Sequence, residues 1–198
     1  MASHIKIHWA LALLILILLP GCVTRPQGNT RLAQYDPDAG YRYENLKSGP
    51  NNSDELMVIL TFSGGGTRAA ALSYGLLEKL RDTPITVNGQ ERSLLDEVDI
   101  ISSVSGGSLV SASYGAYGKE IFNFFPEEVL YKDIQKGLIH SFFNVKNYSH
   151  LASPFYGRSD MLAESFDEFM DNKTYGDLLD RGTRPFIVIN TTDLAQGS

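Results

Sequence analysis

Apolar residues in this chain fall into a few short runs separated by clusters of glycine and polar residues. The run Leu56–Phe62 (LMVILTF) is continuous rather than alternating, so it predicts a strand buried on both faces. After the glycine-rich Ser63–Arg68, the stretch Ala69–Leu80 carries Leu72, Leu76, Leu77 and Leu80 at helical spacing, which predicts a helix with those leucines on its core stripe. A second strand is expected at Val98–Val104 (VDIISSV), and strand, helix and strand together predict a right-handed crossover with parallel, neighbouring strands. A third strand is expected within Pro185–Asp193. Pro126–Ile134 opens with proline and two acids, as a helix start does, and Ser159–Met170 reads as an amphipathic helix. The expected fold is therefore α/β: a three-layer sandwich whose mostly parallel central sheet takes strands near Leu56, Val98 and Phe186.

The N-terminus follows a different pattern. Trp9–Leu19 (WALALLILILL) is apolar and follows a short segment containing Lys6. Eleven residues are too few to cross a hydrocarbon core, which takes about 20, and suit the h-region of a secretory leader over residues 1–21. The next residues, Leu19-Pro20-Gly21-Cys22, resemble the lipobox of bacterial lipoproteins, with Pro20 a less usual residue at its place. That resemblance implies lipidation of Cys22, export, and a membrane-anchored protein of the bacterial cell envelope. An ordinary secretory leader or a membrane anchor with an incidental cysteine is the other reading. Residues 22–55 are polar and rich in Pro, Gly and Asn, and read as a tether, with partial folding onto the domain expected near Tyr41–Leu46. The domain itself is expected to occupy residues 56–198.

Composition narrows the chemistry. Of 198 residues, 17 are basic and 23 acidic; the leader holds one of the lysines and none of the acids, which leaves a mature net charge of −7. An acidic chain without a dense Lys/Arg stripe is a poor nucleic-acid binder. The single cysteine excludes a disulfide scaffold, and His140 and His150 are the only histidines beyond the leader, so no metal or organic cofactor is implied. Eight of the ten phenylalanines lie between Ile121 and Phe169, where they either line a surface for acyl chains or simply cover the sheet.

Two junctions carry candidate chemistry. Gly64, Gly65 and Gly66 stand between a predicted strand and a predicted helix. Without side chains their amides can turn toward one point in front of a helix N-terminus, where an anion or transient oxyanion would be held. A tight turn that merely packs is the alternative. A Walker loop is excluded because no Gly-Lys-Ser/Thr follows. At the end of the second strand, Ser103-Val104-Ser105-Gly106-Gly107-Ser108 has the form of a nucleophile elbow, in which a serine on a sharp strand-to-helix turn is flanked by small residues. Ser105 is the candidate nucleophile, with Ser103 in the place of the usual first glycine. A helix-capping serine is the alternative.

A strand–GGG–helix followed by a strand–SVSGGS–helix resembles the patatin-like phospholipases. The resemblance covers Leu56 to the C-terminus and includes Gly157–Glu164 and Pro185–Asp193. It implies an oxyanion hole at Gly64, Gly65 and Gly66, with Arg68 beside it, a catalytic Ser105, and a lipid ester as substrate. Ala69 stands where the family's longer loop pattern ends in glycine. The family's base is an aspartate in a later Asp-Gly-Gly or Asp-Gly-Ala, and no aspartate here is followed by glycine. Asp193 is the least implausible substitute, and a triad through His140 or His150 is the other possibility. The chain ends directly after a predicted strand, so a C-terminally truncated domain is expected. Two functions follow: a serine acyl hydrolase of lipid esters, or a non-catalytic lipid-associated lipoprotein that keeps the loop and the elbow.

Overall fold

The computed structural model describes residues 32–132 and 158–192. They belong to two compact units: one holds Asp36–Lys132 together with residues 170–192, and the other holds the helix Arg158–Phe169. Within the larger unit, β1 (Val58–Phe62), β4 (Val98–Val104) and β5 (Phe186–Asn190) form a sheet in the order β1-β4-β5. Both pairings are parallel, with Leu60 beside Ile101 and Ile101 beside Ile187. β4 is the central strand, which is why Val98, Asp99, Ile101 and Ser103 are all buried. The fold is α/β, and the three strands sit where the sequence places them. However, β1 is not buried on both faces: Leu60 and Phe62 are buried whereas Ile59 is exposed, because β1 lies at the edge of the described sheet.

The connections depart from expectation. Helix α1 (Gly66–Arg81) follows β1 but does not lead straight to β4. A hairpin intervenes, β2 (Pro84–Val87) and β3 (Gln90–Ser93), joined at Asn88-Gly89. Both turn residues have positive φ, 51° and 76°, as the favoured two-residue hairpin turn requires. Helix α1 buries only half of the stripe its leucines suggest: Leu77 is buried and Leu80 half-buried, while the other two face out. Ala69, Ala70, Ser73, Tyr74 and Leu77 are buried, whereas Leu72 is 74% exposed and Leu76 40%. The reason is its neighbour. Helix α2 (Gly106–Tyr117) buries Gly106, Gly107, Ser111, Ser113 and Gly115, and two helices that both present small residues can pack closely.

Helix α2 also lies tight on the sheet face that carries Leu60, Ile101 and Ile187. A side chain on Gly115 would meet Ile187 Cγ1 at 2.7 Å, and one on Gly107 would meet Phe62 Cβ at 2.6 Å. On the opposite face, Tyr41 stacks on Phe186 with ring centroids 4.8 Å apart, and Tyr43 packs against it edge-on. Beyond α2, the short helix α3 (Ile121–Phe125) runs into a single π turn at Pro126–Leu130, shorter than the helix expected there. Helix α4 (Arg158–Phe169) is the predicted amphipathic helix of the smaller unit. Helix α5 (Tyr175–Arg181) is an addition to the expected elements. It begins in a capping box between Thr174 and Asp177 and ends at Gly182 with φ 67°.

Residues 36–57, within and just beyond the segment read as a tether, lie along the domain. Leu46 is buried, the Lys47 N–H donates to Gly182 O at 2.8 Å, and the Ile187 N–H donates to the Tyr41 hydroxyl oxygen at 2.8 Å. Two buried carboxylates at the start of β4 hold this segment. Glu97 accepts from the Ser53 N–H and, at 2.6 Å, from the Ser53 hydroxyl. Asp99 accepts from the Val58 N–H and from Arg184 Nη1, both at 2.9 Å, and Arg184 also reaches Asp54. Paired in this way, charges that would be costly to bury become fixed points beneath the sheet.

Candidate active site

Ser105 occupies the single residue between the last residue of β4 and the first of α2. Its backbone has φ 53° and ψ −124°, a conformation that residues with a side chain rarely adopt. It is a backbone conformation that glycine usually fills, set at the sharp passage from strand to helix. The capping alternative fails on geometry. Ser105 stands at the N-cap of α2, but its side chain makes no capping hydrogen bond, and the turn is closed instead by the Ser108 N–H donating to the Ser105 carbonyl at 2.9 Å. The Ser105 hydroxyl is left exposed.

The glycine loop lies directly against it. A methyl group on Gly64 would stand 3.1 Å from Ser105 Cβ and 3.7 Å from Oγ. Gly65 has φ 141° and Gly66 has φ 63°, conformations that favour glycine. Gly65 is the N-cap of α1 and offers no side chain to its first amides. The two helix starts also touch: a side chain on Gly106 would lie 2.9 Å from Gly66 N. Neither helix has an acidic residue in its first turn. Two positive helix ends therefore meet beside Ser105 with no carboxylate in those turns to compete for their donors. Arg68, in the first turn of α1, is exposed.

The structure thus brings together Ser105, Gly64, Gly65, Gly66 and, alongside them, Arg68. Cys22, His140, His150 and Asp193 lie outside the described residues. Among the described residues, no group of three or more His, Cys, Asp or Glu could hold a metal ion.

The patatin-like phospholipase family model matches residues 60–198, a span that starts within β1 and includes both junctions. The chain belongs to the patatin-like phospholipase family. No curated protein and no solved structure matches it.

In this patatin-like domain the elbow is braced through Ser103 by partners that the sequence does not single out, Ser111 and Asn190. Ser103, in the place of the usual first glycine, is buried; its hydroxyl lies 2.5 Å from that of Ser111 and donates to Val188 O at 3.2 Å. Asn190, the last residue of β5, donates from Nδ2 to Ser103 O at 2.9 Å and to Ser102 Oγ at 3.0 Å. Those bonds fix the strand just before the nucleophile. A polar residue ending an apolar strand was the available signal, but nothing local says which carbonyl it will reach. The α2 tyrosines do not offer a base. Burial raises the Tyr114 hydroxyl, and burial, followed by its hydrogen bond to Asp171, pushes Tyr117 up to about 12, so both stay protonated at neutral pH.

Proposed function

We propose that this protein is a serine acyl hydrolase acting on lipid esters, with Ser105 as the nucleophile. The observation that carries the reading is the free Ser105 hydroxyl, held at a strained turn against Gly64 where two uncapped helix starts meet. In the acylation step Ser105 Oγ bonds to the ester carbonyl carbon and gives its proton to a base. The carbonyl oxygen becomes an oxyanion and takes hydrogen bonds from the Gly64–Gly66 loop, where preorganised donors act without reorganising. Collapse breaks the bond to the alcohol, which leaves with a proton. Water then attacks the acyl-serine, releases the fatty acid and restores the hydroxyl. The family resemblance makes the base an aspartate of a Ser–Asp dyad, in an Asp-Gly turn that these 198 residues do not contain.

That missing dipeptide favours a second reading, a non-catalytic lipid-associated lipoprotein. A fluorophosphonate probe separates the two, because it labels a serine only when the serine is activated. Labelling of the natural protein that disappears in Ser105→Ala supports the hydrolase. A folded protein that takes no label supports the second reading.

The same proposal places the protein in the bacterial cell envelope, held by a lipid on Cys22. No helix among the described residues is long and apolar enough to cross a membrane. Acyl chains contribute about 0.8 kcal/mol per buried methylene, so several of them on one cysteine would anchor the domain stably. Cys22→Ser is expected to abolish palmitate labelling and to weaken membrane attachment strongly. A variant that stays equally labelled and bound would refute lipidation.

A further inference from the structure

The leucines that α1 does not bury define a surface. Arg68, Ala71, Leu72, Gly75, Leu76 and Lys79 recur at helical spacing on one side of the helix, and all six are exposed. This side begins at the oxyanion loop, since Gly66 is the first residue of α1 and Arg68 lies in its first turn. From Arg68 to Lys79 it extends about 16 Å along the helix. Two leucines lie between two cations, and no acid lies among them. Glu78 is on the flank and half-buried, and Asp82 beyond the helix end is paired with Arg81 at 2.7 Å. In a chain whose net charge is −6, this cation-bounded apolar strip runs against the prevailing sign.

We propose that this face of α1 docks on the anionic surface of a lipid bilayer. The inference rests on the lipid-ester reading of Ser105. A substrate embedded in a bilayer must deliver its carbonyl to the Gly64–Gly66 loop, and this face is continuous with that loop. Leucines directed into the acyl boundary, with lysine and arginine reaching back to the headgroups, are the arrangement by which helices lie in an interface. Docked in this way, α1 would bring the loop and Ser105 to the level from which an ester bond is drawn. Charge complementarity favours an anionic bilayer over a second copy packed face to face, which would set its own Arg68 and Lys79 against these.

The test reads local environment rather than total binding, so that a lipid anchor does not mask it. Single cysteines replace Leu72, Leu76 or, as a control on the β2–β3 hairpin, exposed Glu91, each in the full chain with Cys22→Ser, and each carries an NBD fluorophore. Leu72 and Leu76 are exposed, so labelling leaves the core intact, which a melting curve verifies. With vesicles of phosphatidylglycerol and phosphatidylcholine, emission from positions 72 and 76 should shift to the blue and brighten while position 91 stays unchanged. Lys79→Ala should weaken the vesicle dependence about fivefold, the share of one cation near an anionic surface. Probes at 72 and 76 that remain in water overturn the proposal. So does a blue shift already present in buffer, which would mean that protein covers the face, and so does an equal shift at position 91. Fluorophosphonate labelling of the natural protein is scored separately. Labelled Ser105 with no NBD shift refutes docking and leaves the hydrolase reading standing, and an NBD shift with no labelling does the reverse.

Discussion

Replacing Gly65 with valine is expected to slow acylation of Ser105 by about 10²–10³ while the domain stays folded, the usual cost of losing one oxyanion donor. Gly65 has φ 141°, which a β-branched residue cannot adopt without strain, so the loop must re-route. A new side chain would also meet Ala69 Cβ at 3.3 Å, pressing the loop away from the first turn of α1. Relaxation would turn the amides away from the place where the substrate oxygen gathers charge. The loop is exposed and lies outside the core, so the melting temperature should change little compared with the rate. The measurement is the second-order rate of fluorophosphonate labelling of the natural protein, paired with a thermal melt. An unchanged rate in a folded Gly65→Val protein would remove the loop from the mechanism.

The parts of this fold that the sequence discloses are those in which one residue type has one physical meaning. An apolar-rich segment marks a strand, and β4 begins and ends at the limits of Val98–Val104. The run does not fix how deeply each face is buried: in Leu56–Phe62 only Leu60 and Phe62 are buried and Ile59 is exposed. Glycines at a strand–helix junction are needed where backbones nearly touch, and Gly64, Gly106 and Gly107 all stand at such contacts. Helix faces are harder to read, because packing partners decide them. Leu72 and Leu76 belong to the expected stripe on α1, yet α2 presents glycine and serine, and close packing selects Ala69, Ala70 and Ser73 beside Leu77 instead. The hairpin is hard to read although Asn88-Gly89 is a strong turn signal, because its strands, PITV and QERS, are short and the second is wholly polar. The fixing of residues 36–57 depends on Glu97, Asp99 and Arg184, whose partners lie more than 40 residues away in sequence. No window of sequence contains such a pair. The same holds for Asn190, which reaches Ser103 O across 87 residues.

The polypeptide of these 198 residues, purified alone, is expected to turn over p-nitrophenyl esters at close to the background rate. A serine hydroxyl is a weak nucleophile at neutral pH and needs a base within about 2.6–3.2 Å. A positioned base contributes typically 10²–10⁴ to the rate, so its loss leaves binding and the oxyanion loop with little to act on. Around Ser105 the described residues supply donors rather than bases. Neither α1 nor α2 has an acid in its first turn, and the α2 tyrosines stay protonated at neutral pH. The buried carboxylates Glu97 and Asp99 are already bound to Ser53 and Arg184, and they stand at or before the start of β4, the end opposite Ser105. Asp193 follows β5 closely, but Thr-Thr-Asp-Leu lacks the glycine turn of the dyad motif. Fluorophosphonate labelling of the isolated polypeptide should be correspondingly slow, although the elbow and loop are in place. Ester turnover that is robust, abolished by Ser105→Ala and indifferent to Asp193→Asn would overturn this account and turn the search for a base to His140 and His150.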